Sequence, residues 1–361
     1  MMTSKIQTVA VAMSGGVDSS LAAALLVKKG YRVIGLTMRL FCYDGINNEK
    51  NCCSLKSIEA ARQAAQRFGF PHYVMDCEPE FKASVVDYFI EQYRQGRTPN
   101  PCVACNQKIK FGLLLNKAKG LGCELMATGH YARIKTIKGQ PALAKGKDSK
   151  KDQSYFLWTL TREQLISSLF PLGGLDKQRV RELATDYGLE SAQRPESQEI
   201  CFIPKGKYSD FMKKEIGSRP GPIGNRQGQI LGQHQGIANY TIGQRGGLRI
   251  ALGRPQYVVS IDSAQNKITV GEDADLMTNR LLATDVNWIT NQPKRVVKAV
   301  VKIRRQHAGA EAVVIALDGH RAEVSFKNPQ RAVTPGQSAV FYKGDLVLGG
   351  GVIESNNSQW H

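Results

Sequence analysis

The stretch TVAVAMSGGVDSSLAAALLVKKG, residues 8–30, constrains this chain more than any other. TVAVAM is a short unbroken apolar run, the mark of a strand buried on both faces of a parallel sheet. LAAALLVKKG has a helical pattern that stops at a glycine. A strand that passes through a tight turn into a helix predicts a right-handed βαβ layout, because the next parallel strand must be reached by a crossover. The turn itself, SGGVDSS, is chemically loaded. Gly15 and Gly16 permit a sharp bend in which successive N–H groups point at one anion. The hydroxyls of Ser14, Ser19 and Ser20 and the positive end of the helix add to that site. The Walker spacing is absent, since no lysine follows the glycines, and so is G-x-G-x-x-G. In isolation SGG is only a tight turn with serine caps. Between a first strand and a first helix it is a phosphate cradle.

Downstream, strand-like runs at 31–40, 72–77 and 124–130 alternate with helical patterns at 54–69, 80–96 and near 107–119. This predicts an α/β fold, a parallel sheet covered on both faces. After about residue 205 the pattern changes. QYVVSIDSAQNKITVGED reads as a hairpin, and VVKAVVKI, EAVVIAL, RAEVSF and SAVFYKGDLVLGGGVI are short β segments at near-regular spacing. We expect three parts: a catalytic α/β domain at 1–207, a small β-rich linking domain at 208–280, and a β-barrel or sandwich at 281–361. With 42% hydrophobic and 22% charged residues the chain is globular rather than disordered. No apolar run approaches the roughly 18 residues of a membrane span, and the N-terminus lacks the apolar core of a signal peptide, so the expected location is cytoplasmic, with no membrane partner. Lys and Arg outnumber Asp and Glu by 49 to 31, a net charge of +18 that attracts polyanions and points to nucleic acid.

Eight cysteines in a reducing compartment read as thiols, metal ligands or catalytic groups rather than structural disulfides. TPNPCVACNQ places Cys102 and Cys105 two residues apart in a polar, proline-bent loop, a spacing shared by zinc half-sites, redox pairs and catalytic thiols. Zinc needs four ligands, and the chain has no second Cys-x-x-Cys and only six histidines. Cys201, flanked by Ile200, Phe202 and Ile203, reads by itself as a small buried hydrophobe. On the same local view His130 ends a strand, Asp152 caps a helix, and Lys151 is one solvated charge in KGKDSKKD. Cys52 and Cys53 stand at a helix start, and Cys42, Cys77 and Cys123 are core or surface thiols.

SGGVDSS resembles the pyrophosphate (PP) loop of the ATP pyrophosphatases, which cleave ATP between the α and β phosphates to adenylate a carbonyl oxygen. GRTPNPCVACNQKIKF, ATGHYARI, KDQSYFLW, SQEICFIP, RPGPI, YTIGQRGGL and VTPGQSAVFY follow it in order. Together they resemble the bacterial tRNA-uridine 2-sulfurtransferase family over nearly the whole chain, to about residue 353. The resemblance implies a PP-loop domain of the adenine nucleotide alpha hydrolase-like (HUP) type, a central β-rich domain and a C-terminal β-barrel. It also implies ATP with Mg2+, the anticodon stem-loop of tRNA as partner, and sulfur from a donor protein, a cysteine desulfurase relay or free sulfide. Carried over, Ala12, Met13, Ser14, Gly15, Gly16, Val17, Asp18 and Ser19 hold the ATP phosphates, with Met38 and Gly129 also on the nucleotide. Asn100, Pro101 and Cys102 surround the target base. Cys105 is the nucleophile and Cys201 carries sulfur as a persulfide. His130, Lys151, Asp152, Gln153 and Gln337 touch tRNA.

Two departures matter. Some members carry Asp at the position of Cys102, and KIRRQHAG lacks the tyrosine of the family's Arg-Tyr-Arg-Gln, which leaves Arg304 and Arg305 as the tRNA contacts there. The implied reaction is thiolation at C2 of the wobble uridine: ATP turns a poor oxide leaving group into AMP, and either the persulfide sulfur or hydrogen sulfide released from it attacks C2. Cys105 then resolves the remaining sulfur bond by thiol exchange. The base must leave its stack, which is easiest in a single-stranded loop. One alternative gives Cys102, Cys105 and Cys201 to a [4Fe–4S] cluster with an open iron that delivers hydrosulfide. Others are a small-molecule ATP-pyrophosphatase ligase and a non-enzymatic RNA-binding or redox module.

Overall fold

A computed structural model describes residues 6–43, 54–193, 200–250, 253–290, 293 and 295–354. Cys52, Cys53 and the Ser197–Glu199 part of SQEICFIP lie outside the described residues. The chain forms two compact units. The first comprises Met1–Val86, Cys102–Lys205 and Asp345–Val347, the second Asp87–Pro101, Gly206–Gly344 and Leu348–His361.

In the first unit, strands β1 (Thr8–Ala12), β2 (Arg32–Arg39), β3 (His72–Asp76), β4 (Leu125–Ala127) and β7 (Ser168–Leu169) form a five-stranded parallel sheet in the order β3-β2-β1-β4-β7. Val9, Ala10 and Val11 are fully buried, as an apolar run inside a two-faced sheet requires. Helix α1 (Val17–Lys28) packs with α2 (Leu55–Phe68) and α5 (Lys177–Asp186) through Leu21, Ala22, Ala61, Ala64 and Val180. Ser54 caps α2 by accepting from the Ser57 amide, and Gly69 ends it in the left-handed region at φ 70°. A hairpin, β5 (Ala132–Ile137) with β6 (Gln140–Lys145), completes this unit's strands, and Ala144 pairs with Leu346.

Two local expectations change. Helix α1 begins at Val17, so VDSS is its first turn rather than part of the loop; Gly16 serves as the extended N-cap at φ −82°, ψ 162°. The Cys-x-x-Cys segment is also helical, lying in α4 over 101–120 rather than in a loop. Pro101 accounts for this, because its fixed φ and missing N–H suit the first helical position. From Cys105 to Leu114 the turn widens to π geometry, and α3, over 78–94, has a shorter π stretch at Lys82–Val86. Such widened turns frequently occur at functional sites.

The second unit contains α6 (Tyr208–Ile216) and two sheets. Strands β8 (Gly221–Gly224), β9 (Ile230–His234), β10 (Tyr257–Asp262) and β11 (Lys267–Gly271) run in the order β10-β11-β8-β9. The expected hairpin is β10–β11, with Ile261 opposite Ile268. Strands β12 (Met277–Trp288), β13 (Val296–Lys302), β14 (Ala310–Leu317), β15 (Arg321–Arg331), β16 (Ser338–Lys343) and β17 (Leu346–Ile353) form a barrel in the order β12-β15-β14-β13-β16-β17. It closes where β12 pairs with β17, Ala283 opposite Ile353 and Trp288 opposite Gly349, which removes both open edges. Inward residues such as Leu281, Val301, Val314, Val324 and Phe341 fill it. Among the described residues no helix is long and apolar enough to cross a membrane.

Candidate active site

Strand order places the site. From β1 the chain moves to β2 and β3 on one side of the sheet and later to β4 on the other. The carboxyl ends of β1 and β4 therefore bracket a topological switch point, where open α/β sheets take ligands. The glycine loop follows β1 and Gly129 follows β4. A Cβ on Gly129 would stand 2.8 Å from the backbone carbon of Asp18, so these segments touch with no room for a side chain.

Gly15 has φ +70°, and a Cβ there would fall 2.0 Å from the Ser57 carbonyl oxygen. The loop thus passes against the first turn of α2 as well as entering α1. Ser19 Oγ faces inward: it accepts from the Ser14 amide at 3.1 Å and donates to the Gly16 carbonyl at 3.1 Å. Ser14 is exposed, whereas Ser20 is buried and its hydroxyl has no hydrogen-bond partner among the described residues. Of the three serines assigned to the anion, Ser14 is the one facing solvent, Ser19 shapes the loop, and Ser20 belongs to the core.

On the β2 side, the Thr37 hydroxyl donates to the Met13 carbonyl at 2.9 Å and lies 2.8 Å from His72 Nε2. Its single proton is committed to the carbonyl, so His72 donates from Nε2. Burial, with Arg62 adding to it, lowers the His72 pKa, which favours the neutral ring. Half-buried Met38 follows Thr37 at the end of β2.

Asp18, in the first turn of α1, is held from two directions. Tyr131 OH and Lys177 Nζ both donate to its Oδ1, each at 2.7 Å. Lys177 Nζ also sits 5.5 Å from the Tyr131 ring centroid, a cation–π distance. Tyr131 is fixed in turn by Gln153, whose Oε1 accepts the Tyr131 amide and whose own amide donates to the Tyr131 carbonyl, both at 2.9 Å. Asp152 accepts from the amides of Gly146 and Ser154 and from the Ser154 hydroxyl. Asp152 is thus a loop organiser, close to the capping role its local sequence suggested. Burial opposes ionisation of Asp148, yet the amides of Lys177, Lys150 and Lys151 hold its carboxyl below the usual range. Half-buried Lys151 follows this turn.

His130 is buried, its Nδ1 2.7 Å from Thr128 Oγ1 and its ring in a three-ring cluster with Phe111 and Phe170, each about 6 Å away. Burial, then Lys110, keeps its pKa well below the ordinary imidazole value. Cys102 is exposed, Cys105 buried at 8% exposure, and Cys201 half-buried beside Phe202, which packs edge-on against Phe81. Cys77 and Cys123 are core thiols and Cys42 is half-buried. Among the described residues no three His, Cys, Asp or Glu side chains gather to hold a metal ion, so Cys102, Cys105 and Cys201 do not fit a three-thiolate cluster site.

In the second unit Gln337 Nε2 donates to the Thr98 carbonyl at 2.8 Å, next to the segment that leads to Asn100 and Pro101. Gly336 packs its Cα on the Thr98 backbone. Arg304 and Arg305 are exposed, and Arg304 donates to the Arg331 carbonyl at 3.3 Å. Lys177 and Tyr131 escape a local reading. The one signal for Lys177 is its place as first residue of α5, where the helix dipole disfavours a cation.

Three family models match successive parts of the chain: a tRNA methyl transferase HUP domain over residues 7–205, a tRNA methyl transferase PRC-barrel domain over 209–272, and an aminomethyltransferase beta-barrel domain over 278–353. The tRNA-specific 2-thiouridylase MnmA of Geotalea uraniireducens is 49% identical over 97% of this chain and 96% of its own. Those of Geobacter metallireducens and Clostridium perfringens are 48% and 45% identical, covering 98% and 96% of this chain and 99% and 98% of theirs. Among solved structures, the NMN synthetase of Francisella tularensis overlaps 54% of this chain and 68% of its own at 15% identity, with a TM-score of 0.35, too low to bear on function.

Proposed function

Because the chain belongs to the tRNA-specific 2-thiouridylase (MnmA) family, we propose that it replaces O2 of the wobble uridine of tRNA by sulfur at the expense of ATP. The observation that carries the nucleotide half is the switch-point loop: Gly15 takes a left-handed turn against α2 and Gly16 caps the N-terminus of α1, an end that attracts anions. The net charge of +18 supports a polyanionic substrate.

In the proposed sequence, uridine O2 attacks the α-phosphorus and pyrophosphate leaves into the glycine loop, at residues Ala12 to Ser19. Met38 and Gly129 flank the nucleotide. Asp18 is the carboxylate this loop offers, and it would hold the Mg2+ that enters with ATP, whose charge would offset that of the phosphates. The terminal sulfur of a Cys201 persulfide then adds to C2, and the adduct collapses with loss of AMP. The Cys105 thiolate attacks Cys201 Sγ, the S–S bond breaks toward the nucleobase sulfur, and a Cys105–Cys201 disulfide remains. A thiol reductant then opens the disulfide and a persulfide from a sulfur-donor protein or desulfurase relay reloads Cys201 by exchange, or sulfide itself opens the disulfide, leaving the persulfide on Cys201 and the thiol on Cys105. Asn100, Pro101 and exposed Cys102 are assigned to the target base. Lys151, Gln337, Arg304 and Arg305 are assigned to tRNA, with His130, Asp152 and Gln153 supporting that surface. The domain bounds 1–207, 208–280 and 281–361 and a cytoplasmic location belong to the same proposal.

The test is anaerobic thiolation of unmodified tRNA with ATP and a sulfur source, with AMP and 2-thiouridine measured together. Cys201→Ala and Cys105→Ala should abolish 2-thiouridine while leaving tRNA-dependent AMP formation measurable. Full thiolation by both variants would overturn the two-cysteine route, and AMP release indifferent to tRNA would overturn the substrate.

A further inference from the structure

The glycine loop contains a charge conflict. It is built to receive a polyanion, yet its first helical turn carries a carboxylate, Asp18, and no lysine follows the glycines in sequence. An uncompensated carboxylate here would repel the phosphates that the helix end attracts.

The fold supplies the missing cation from far along the chain. Lys177, 159 residues from Asp18, places Nζ 2.7 Å from Oδ1, with its side chain only 10% exposed. It stands at the start of α5, the end where the dipole disfavours a cation, and Asp176 and Asp148 offset that by accepting the amides of Arg179 and Lys177. Tyr131 donates to the same oxygen and lies beneath the ammonium, and Gln153 clamps Tyr131 by its backbone. Two donors therefore fix one carboxylate oxygen. Neither bond uses the other oxygen, Oδ2.

We propose that Lys177 is a positioning residue of the ATP site: with Tyr131 it neutralises Asp18 and locks Oδ1, so that the loop admits the triphosphate and Oδ2 is left for its Mg2+. This rests on the glycine loop being the ATP site, and the two ideas fail in different ways.

The experiment is titration of the full-length protein, without tRNA, with α,β-methylene-ATP, in the presence and absence of Mg2+. Lys177→Met should weaken binding about 30-fold, and more without Mg2+ than with it, because the bare carboxylate then faces bare phosphates. Lys177→Arg keeps the charge and should recover most of the loss. Tyr131→Phe should weaken binding roughly fivefold. Asp18→Asn added to Lys177→Met should restore affinity for Mg2+-free nucleotide, an effect that a merely structural lysine would not produce. Absence of binding by the wild type refutes the glycine-loop reading. Wild-type binding matched within twofold by folded Lys177→Met refutes the role of Lys177. If Lys177→Met does not fold, the Asp18→Asn/Lys177→Met double and Tyr131→Phe decide. Equal loss of affinity by the double with and without Mg2+, or an unchanged Tyr131→Phe, overturns the proposal.

Discussion

Alanine at the two loop glycines should produce different defects, because the backbone meets different neighbours at each. At Gly15, φ is +70° and a Cβ would lie 2.0 Å from the Ser57 carbonyl oxygen and 2.6 Å from its carbon. Neither atom is the end of a flexible side chain. The Ser57 amide is anchored by the Ser54 carbonyl at 2.9 Å and its hydroxyl at 3.2 Å, so the first turn of α2 cannot yield cheaply. Left-handed geometry costs an alanine about 1–2 kcal/mol, and forced repacking a further 1–3 kcal/mol or so. The sum, roughly 2–5 kcal/mol, corresponds to a fall in melting temperature of roughly 5–15 °C for a unit of this size. At Gly16, φ is −82°, open to any residue, and the nearest atom is Ser14 Oγ at 3.5 Å. Gly16→Ala should lose only a cap preference, about 0.5–1 kcal/mol, while its methyl projects into the space assigned to the phosphates. Thermal unfolding paired with nucleotide titration separates the two: Gly15→Ala loses stability and binding, Gly16→Ala chiefly binding. A Gly15→Ala protein melting within 2 °C or so of wild type would show that the first turn of α2 yields to a methyl group.

Acid should destabilise the first unit through His130. Its imidazole is held neutral by burial, whereas in the unfolded chain it takes a proton near its ordinary value of 6.5. The unfolded state therefore binds the extra proton below about that pH, and stability is lost as pH falls, at up to about 1.4 kcal/mol per pH unit for this one group. His130→Phe should reduce that slope in urea unfolding between pH 7 and 5, and an unchanged slope would contradict it. In the barrel, a Cβ at Gly349 would meet the Asn287 carbonyl oxygen at 2.2 Å across the closing seam. Gly349→Ala should cost about 1–3 kcal/mol, read as a lowered transition for the second unit. Replacing both Arg304 and Arg305 by Ala should weaken tRNA binding evenly across sequences and lower the salt-dependence slope by about 2; an unaltered slope would remove them from the phosphate contacts.

The parts of this protein legible in one dimension are those decided by neighbours along the chain. An apolar run, two glycines and an alanine-rich helix predict β1, the loop and α1, since each conformation follows from residues within a turn or two. Alternating segments with turns between them predict the barrel strands in the same way. Local chemistry also misleads. Pro101 between polar neighbours predicts a bent loop, yet it opens the helix that carries Cys102 and Cys105. His130, which ends a strand on the local view, is buried against Phe111 and Phe170. The pairings that complete the site were out of reach altogether. Sequence determined that this chain would present a glycine loop between a buried parallel strand and a helix. Only the tertiary structure decided what balances Asp18, because a charge pair joining residues 18 and 177 exists when packing of α5 against α1 brings them to 2.7 Å, and leaves no periodicity or spacing in the chain.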